Sequence, residues 1–484
     1  MADFMFPAKL AGLRVHLVGA KGTGMCALAE FLSARGALLS GSDVQDSFYT
    51  DTMLAALGVR VTEFSATAIT PDLDLVVHSL AYQPDSHPEL VRAREIGLPI
   101  ATYPEALGAL SRLQDSSGIC GVHGKTTTTA MAGALAAASG LSVTTIAGSA
   151  VSSFGGHSIL SSGDRHLIAE TCEYRRSFLN FSPARVLLTS VEPDHQDYYP
   201  DYEAIRTAFI EYLSRLPHGA PIIYCADDAG AVDTVRMVSR SRPDLRPVPY
   251  GFSASGPFRL SAFQVRGERS WFNLDADPGV FSLRVPGRHL ALDAAGALAL
   301  CASIIEDEGR VPGPDFYQSA RLALSEFRGS KRRAEILGEA GGILFMDDYA
   351  HHPSAIRLTL KGLREFYPNR RLVVDFMSHT YSRTKALFDD FASAFSDAHL
   401  VIAHRIYASA REEPDPTVSG ELLADAMSRA GTDVVYLDSH EDAADRVTGL
   451  LKPGDLFLTM GAGDNWKLGA ELFKRLSNAK DARP

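Results

Sequence analysis

The chain has 484 residues, of which 46% are apolar and 22% charged, the balance of a soluble globular protein. At about 150 residues per domain, such a length predicts about three domains, with material for more than one packed core. Lys and Arg number 47 against 58 Asp and Glu, a net charge of −11, which speaks against nucleic acid or an anionic membrane held by bulk charge. An anionic small molecule stays admissible, because a local cationic pocket can sit on an acidic protein.

Cys26, Cys120, Cys172, Cys225 and Cys301 are odd in number and contain no Cys-x-x-Cys pair. That fits reduced thiols better than a disulfide framework or a zinc site. The N-terminal segment lacks a basic stretch ahead of a long apolar run, and no window approaches about 20 uninterrupted apolar residues. A cytoplasmic protein without a membrane span is expected.

Short apolar runs alternate with amphipathic stretches, the pattern of an α/β protein. The first unit, residues 1–110, opens with a run at 15–18, followed by Gly19, Gly22 and Gly24 and a helix over 25–35. Further runs at 37–39, ahead of Ser40-Gly41-Ser42-Asp43, and at 73–78 complete a small Rossmann-like sheet. The second unit, residues 111–327, has a strand ending at Cys120, a glycine loop and a helix from Thr126. Its other strands are expected at 166–169, 186–189 and 221–224, and a helix at 294–306 closes it. The stretch 243–279, rich in Pro, Gly and Ser, predicts short antiparallel strands and turns, giving a P-loop ATPase-like mixed sheet. The third unit, residues 328–484, alternates helices with strands at 343–346, 371–376, 400–403, 434–437 and 456–459, a second Rossmann-like domain.

The strongest motif is Gly121-Val122-His123-Gly124-Lys125-Thr126, between a strand and a helix. Such a loop turns backbone N–H groups and a helix N-terminus toward phosphate oxygens. Lys125 would meet the outer phosphates and the Thr126 hydroxyl a magnesium ion. The usual pattern has four residues between its glycines and this chain has two; a plain helix start rich in threonine is the competing reading.

Glu170-Thr171-Cys172-Glu173 ends an apolar run, and Val191-Glu192-Pro193-Asp194-His195-Gln196-Asp197 follows another. Thr126, Glu173 and His195 could together hold magnesium, although imidazole is an unusual partner for that ion; alone, His195 reads as a turn or surface histidine. Asp347-Asp348-Tyr349-Ala350-His351-His352-Pro353 could orient an amine or a second metal, or could cap the helix at 354–366 through Asp348 or His352. Lys331-Arg332-Arg333 and the stretch Ser378 to Thr384 supply cations suited to carboxylate or phosphate, the first run equally suiting a solvated basic face. Lys21 stands where a dinucleotide loop needs glycine, so NAD binding is disfavoured; its charge could serve another diphosphate.

In this order and spacing the motifs, with Val285-Pro286-Gly287-Arg288-His289, Gly329-Ser330 and Gly461-Ala462-Gly463-Asp464, are highly specific together. The sequence resembles the Mur ligase family over nearly its whole length. The segments His379-Thr380-Tyr381-Ser382-Arg383-Thr384 and Gly461 to Asp464 favour the alanine-adding branch over the murein peptide-recycling one. The resemblance implies ATP-dependent ligation of L-alanine to the muramate carboxylate of UDP-N-acetylmuramate through an acyl phosphate. Another amino acid or a peptide is the alternative. The N-terminal domain would bind the UDP-substrate, the central one ATP and Mg2+, and the C-terminal one the amino acid, in a monomer or homodimer.

Carried over by position, Gly19, Gly22, Thr23, Gly24, Met25, Asp43, Ser79, His379 and Arg383 would bind substrate, Arg383 being suited to the alanine carboxylate. Gly121, His123, Gly124, Lys125, Thr126, Thr127, Asp293 and Arg332 would bind ATP. Thr126, Glu173 and His195 would hold the metal, and Lys125, Glu173, His195 and His351 would form the catalytic group. The chain departs from the family pattern at Leu290 and Asp293, where asparagines are usual and the second helps hold adenine, and at Lys21, Ser190 and Thr380. A nicotinamide-dependent oxidoreductase and a non-catalytic nucleotide-sugar binding module are the competing functions. The surplus of acid reads as ordinary surface, with Lys125, Arg332 and Arg383 the cations that matter.

Overall fold

The computed structural model describes residues 4–7, 9–46, 48–408, 412–440 and 443–481. It is an α/β protein with two compact units, the first comprising Met1–Glu192, Arg206–Arg259 and Asp293–Ala323. The second comprises Pro193–Ile205, Leu260–Leu292 and Leu324–Pro484.

The first unit contains two sheets. In one, β1 (Arg14–Val18), β2 (Leu38–Ser42), β3 (Arg60–Thr62), β4 (Leu75–His78) and β5 (Ile100–Thr102) run parallel in the order β3-β2-β1-β4-β5. The chain leaves β1 in both directions, so the loop after Val18 lies at the switch point where such sheets take ligands. β2 reaches beyond the expected Leu39, because Ser40 and Ser42 keep the pairing with β1 and bond their hydroxyls to the buried His16 ring. The helix Thr23–Ala34 begins two residues earlier than its apolar pattern, at the turn closed by Gly22.

The other sheet is mixed: β6 (Asp115–Cys120), β7 (Val143–Val151), β8 (His157–Ser161), β9 (His166–Glu170), β10 (Arg185–Leu188), β11 (Pro221–Cys225) and β12 (Arg246–Tyr250). Its order is β12-β11-β10-β6-β9-β7-β8, with β8 alone antiparallel. β12 corrects the expectation of antiparallel structure from residue 243. It pairs in parallel with β11 as an edge strand, where the prolines at 247 and 249 need no ladder donor. The helix Thr23–Ala34 packs against this second sheet. Its Glu30, 2% exposed, accepts from the amides of Ser158 (2.8 Å) and Ile159 (3.1 Å) and pairs with His157 at 3.0 Å. A buried carboxylate satisfied this way joins the two sheets into one unit.

In the second unit, β13 (Leu260–Val265), β14 (Ser270–Leu274) and β15 (Asp277–Leu283) form the antiparallel sheet that the sequence did predict. β16 (Glu335–Ala340), β17 (Ile343–Asp348), β18 (Arg371–Phe376), β19 (Leu400–Ala403), β20 (Val434–Tyr436) and β21 (Asp455–Met460) follow in the order β16-β17-β21-β18-β19-β20. Helices cover both faces of this sheet, one core gathering Ile356, Leu360 and Phe391 and the other Val447, Leu468 and Leu472. β17, β21 and β18 are parallel, so the loops after Asp348, Met460 and Phe376 leave one edge together. The helix Arg288–Asp307 is long and apolar enough to cross a membrane, yet 83% of its apolar window is buried within the protein.

Candidate active site

At the edge of the first sheet the predicted substrate residues converge. Gly19 has a φ of +82°, and a Cβ there would lie 2.6 Å from the Tyr82 ring and 3.0 Å from Ser79 Cβ, so only glycine permits this approach. Gly22 caps the helix that carries Thr23, Gly24 and Met25. Gly24 abuts the Tyr103 ring, where a Cβ would come to 2.9 Å. Asp43, 6% exposed, accepts from the Lys21 amide at 2.7 Å and the Val44 amide at 2.8 Å, which draws the loop after β2 against the loop after β1. The Lys21 ammonium, a cation the sequence left open for a diphosphate, is committed to the segment after β2. It donates to the carbonyls of Val44 (2.9 Å) and Asp46 (2.8 Å) and pairs with Asp51.

The glycine loop lies between β6 and the helix Lys125–Ala138, as its spacing predicts. A Cβ on Gly121, at φ +135°, would collide with Thr189 Oγ1, and one on Gly124, at φ +79°, would come 2.7 Å from Asp293 Oδ1. The loop is held from below by Ser190, whose carbonyl accepts from the Val122 amide (3.1 Å) and whose hydroxyl accepts from the His123 amide (2.9 Å). Ser190, a departure from the family pattern, thus anchors the loop by both its carbonyl and its hydroxyl. Asp293 accepts from Thr128 Oγ1 at 3.1 Å and lies against Gly124, under the start of the helix.

Lys125 folds its ammonium over the loop. It donates to the Gly121 carbonyl, to the Val122 carbonyl at 3.3 Å and to both oxygens of Glu173 at 3.2 and 2.9 Å. Burial pulls this ammonium's pKa down, but Glu173 and Glu170 outweigh it and the net shift is upward, so Lys125 stays charged. The Thr126 hydroxyl donates to Glu170 Oε2 at 2.8 Å, and the same oxygen accepts from the Gly148 amide at 2.9 Å. Two carboxylates thus end β9, one against the lysine and one against the threonine. The sequence reading chose Glu173 alone. The signal for Glu170 was its place in the same tetrapeptide. Thr127 is buried in the first helical turn, and His123 lies 3.8 Å from Glu192.

The second unit holds the remaining predicted residues in two groups. The first gathers around Asp194, to which the sequence motif alone assigns no role. Its Oδ1 accepts from Arg383 Nε at 3.2 Å and Nη2 at 2.8 Å, and from the His195 amide at 2.7 Å. Arg383 Nη1 also reaches His379 Nδ1 at 3.2 Å, and the His379 and His351 rings lie 6.2 Å apart. Burial alone would raise the Asp194 pKa, but His195, Arg383 and His351 outweigh it and hold the carboxyl well below its ordinary range. Burial and the Arg383 charge push the His351 imidazole well below its usual value; its Nδ1 meets the Tyr349 carbonyl at 2.8 Å. His195 takes a φ of +54°.

The second group centres on Arg332. Its Nε donates to Asp347 at 2.9 Å, and its Nη2 and Nη1 donate to the Gly461 and Gly463 carbonyls at 2.8 and 3.2 Å. The bland reading of a solvated basic face is thereby excluded for Arg332, whose side chain is 12% exposed. Asp347 and Asp348 are also spoken for, Asp348 accepting from the amides of Ala334 and Ala350. Asp348 does not cap the helix Pro353–Phe366, and His352, which occupies the cap position, makes no side-chain cap bond.

Three family models match the chain in series. The Mur ligase family catalytic domain matches residues 14–114, the Mur ligase middle domain 119–301, and the Mur ligase glutamate ligase domain 332–463. A UDP-N-acetylmuramate–L-alanine ligase of Treponema pallidum is 49% identical over 468 residues, covering 96% of this chain and 97% of the relative. One from Borreliella burgdorferi is 38% identical over 458 residues, covering 94% and 97%. The crystal structure of a UDP-N-acetylmuramate–alanine ligase from Thermotoga maritima superposes with a TM-score of 0.78 at 25% identity, covering 96% of this chain and all of that one.

Proposed function

The chain belongs to the Mur ligase family, and from that premise we propose that it joins L-alanine to the muramate carboxylate of UDP-N-acetylmuramate. It is an ATP-dependent acid–amino-acid ligase acting in the synthesis of peptidoglycan precursor. The muramate carboxylate takes the terminal phosphoryl group of ATP, and the alanine amine then displaces phosphate from the acyl phosphate to leave an amide. Activation is needed because a carboxylate oxygen is a poor leaving group until it is phosphorylated.

The observation that carries this reading is Lys125, a charged ammonium on the lip of a backbone loop at a helix N-terminus, beside two carboxylates and a threonine hydroxyl. Backbone amides of the Gly121–Thr127 loop and Lys125 would hold the ATP phosphates, and Lys125 would offset the charge gathering on the transferred group. The oxygen donors Thr126, Glu170 and Glu173 suit a hard divalent cation such as magnesium, with His195 joining them by the family resemblance. When bound, magnesium would stabilise charge on the phosphoryl oxygens. Asp293 would lie on the nucleotide side of the loop.

Gly19, Gly22, Thr23, Gly24, Met25, Asp43 and Ser79 would take the UDP-substrate at the edge of the first sheet. In the second unit Arg332 would meet the nucleotide phosphates, His379 and Arg383 the alanine carboxylate, and His351 would assist catalysis. This gives the regions 1–110, 111–327 and 328–484 separate tasks, in a cytoplasmic monomer or homodimer. The test is phosphate release with UDP-N-acetylmuramate, ATP and magnesium. Release that depends on L-alanine supports the reading, and release indifferent to alanine refutes it.

A further inference from the structure

β18 is apolar after its first residue, Arg371, except for Asp375, which is 0% exposed near its C-terminal end. A lone carboxylate there would cost several kcal/mol, so its partners must be complete. Asp375 Oδ2 faces His404 Nε2 at 2.7 Å, and the other ring nitrogen, Nδ1, faces the Leu437 carbonyl at 2.8 Å. Both ring nitrogens point at acceptors, so the ring donates twice and is an imidazolium. Burial favours the neutral ring, but Asp375 outweighs it and the His404 pKa is raised.

The second oxygen, Asp375 Oδ1, accepts from Asn465 Nδ2 at 2.8 Å; that nitrogen also lies 3.0 Å from the Asp375 carbonyl and 3.3 Å from the Met460 carbonyl. Asn465 is 0% exposed, and its Oδ1 has no hydrogen-bond partner among the described residues. The side chain is therefore held through Nδ2 alone. Asn465 directly follows the loop Gly461-Ala462-Gly463-Asp464. That loop presents the Gly461 and Gly463 carbonyls to Arg332. Arg332 is also held by Asp347, itself fixed by Thr459 Oγ1 at 2.7 Å, and its guanidinium lies 5.2 Å over the Tyr349 ring.

We propose that His404, Asp375 and Asn465 are positioning residues for the ligase reaction, fixing the 461–464 loop so that its carbonyls aim the Arg332 guanidinium. The inference rests on the reading that Arg332 meets the nucleotide phosphates. The His404 ring occupies one oxygen of Asp375 and Asn465 the other. The carboxylate in turn holds Asn465, the buried residue that closes the loop two positions after Gly463. Arg332 itself stands at a φ of +59°, a sparsely populated backbone conformation held by its amide on Glu335 and its carbonyl on the Tyr349 amide.

The test is steady-state kinetics on the full-length enzyme with Asn465→Leu, Asn465→Ser, Arg332→Ala and the double variant Arg332→Ala/Asn465→Leu. Asn465→Leu should raise KM for ATP about tenfold, the worth of one charge-assisted hydrogen bond, with KM for the UDP-substrate within about twofold. Asn465→Ser, which keeps a donor of shorter reach, should fall between, and its thermal unfolding reports that the fold is intact. The double variant should be no worse in KM for ATP than Arg332→Ala alone, since the network acts through that arginine. Additive effects, or equal losses for both substrates, would overturn the positioning role while leaving the nucleotide role of Arg332 standing. An unchanged KM for ATP in Arg332→Ala would overturn both.

Discussion

Replacing Lys125 by alanine separates the two roles of its ammonium. In the ligand-free protein it closes a buried ion pair with Glu173, the partners 12% and 1% exposed at 2.9 Å. Breaking such a pair from one side typically costs about 3–5 kcal/mol, because the other charge is left buried. Both loop carbonyls that also accept from Nζ belong to buried residues, so the full range of about 3–5 kcal/mol applies. In the reaction the same ammonium offsets charge on the transferred phosphoryl group, and loss of one such group in a water-excluded site costs about 100- to 1000-fold in turnover. Lys125→Ala should therefore lose turnover by at least that factor and unfold at lower urea. Lys125→Ala/Glu173→Ala should recover much of the stability and none of the activity. The assays are alanine-dependent phosphate release, urea unfolding, and calorimetry with UDP-N-acetylmuramate, whose affinity should change less than about threefold because its residues lie on the other sheet. Turnover above about a tenth of wild type, or loss of UDP-substrate binding in parallel with turnover, would refute the assignment.

Gly121→Ala would place a methyl group on Thr189 Oγ1 at a φ of +135°, and should cost about 100-fold in turnover by displacing the phosphate loop, with UDP-substrate binding retained by calorimetry. Asp194→Asn removes the charge that holds Arg383 and should raise KM for alanine by about tenfold, with a smaller change in KM for ATP, read from amino-acid titrations of phosphate release. Burial pushes the His289 imidazole down to about 4. The unfolded chain then binds the extra proton near pH 6.5, so this contribution is full above that pH and is lost as the pH falls toward 4, about 2 kcal/mol by pH 5. Urea unfolding at pH 7 and pH 5 should show a fall that His289→Leu largely abolishes.

The parts of the fold visible in the sequence were those whose period is local. β1, β9, β17, β18 and β21 are largely apolar runs, and the helix after Gly124 follows a motif. β3 and β5, three residues each, earn their strand geometry only from neighbours in the sheet. β12 was hidden because its prolines mimic a loop, and only its edge position makes them acceptable. The site divides the same way. Lys125 and Thr126 sit in a pattern with a mechanism. Asp194 gains its place as the hub for Arg383 only when Tyr381–Ala386 folds against the segment after Pro193, contacts that span 189 residues of sequence. Glu170 and Glu173 are equivalent in sequence, and only the fold sends one to the threonine and the other to the lysine.

The same limit hides which acids are not ordinary surface. Each of the three cations singled out is paired with a buried carboxylate: Lys125 with Glu173, Arg332 with Asp347, Arg383 with Asp194, the acids 1%, 4% and 4% exposed. Those acids belong to the cationic sites. A desolvated ammonium or guanidinium without an anion would cost several kcal/mol, so a protein that keeps such groups ready must bury a carboxylate beside each. An arriving phosphate or carboxylate then exchanges one anion for another. Little of its binding energy comes from neutralising charge, which leaves specificity to the fixed geometry of loops such as Gly121–Lys125 and Gly461–Asp464. Net charge counts residues and is blind to pairing, so the −11 of this chain bears on bulk attraction and leaves local sites for an anionic small molecule open.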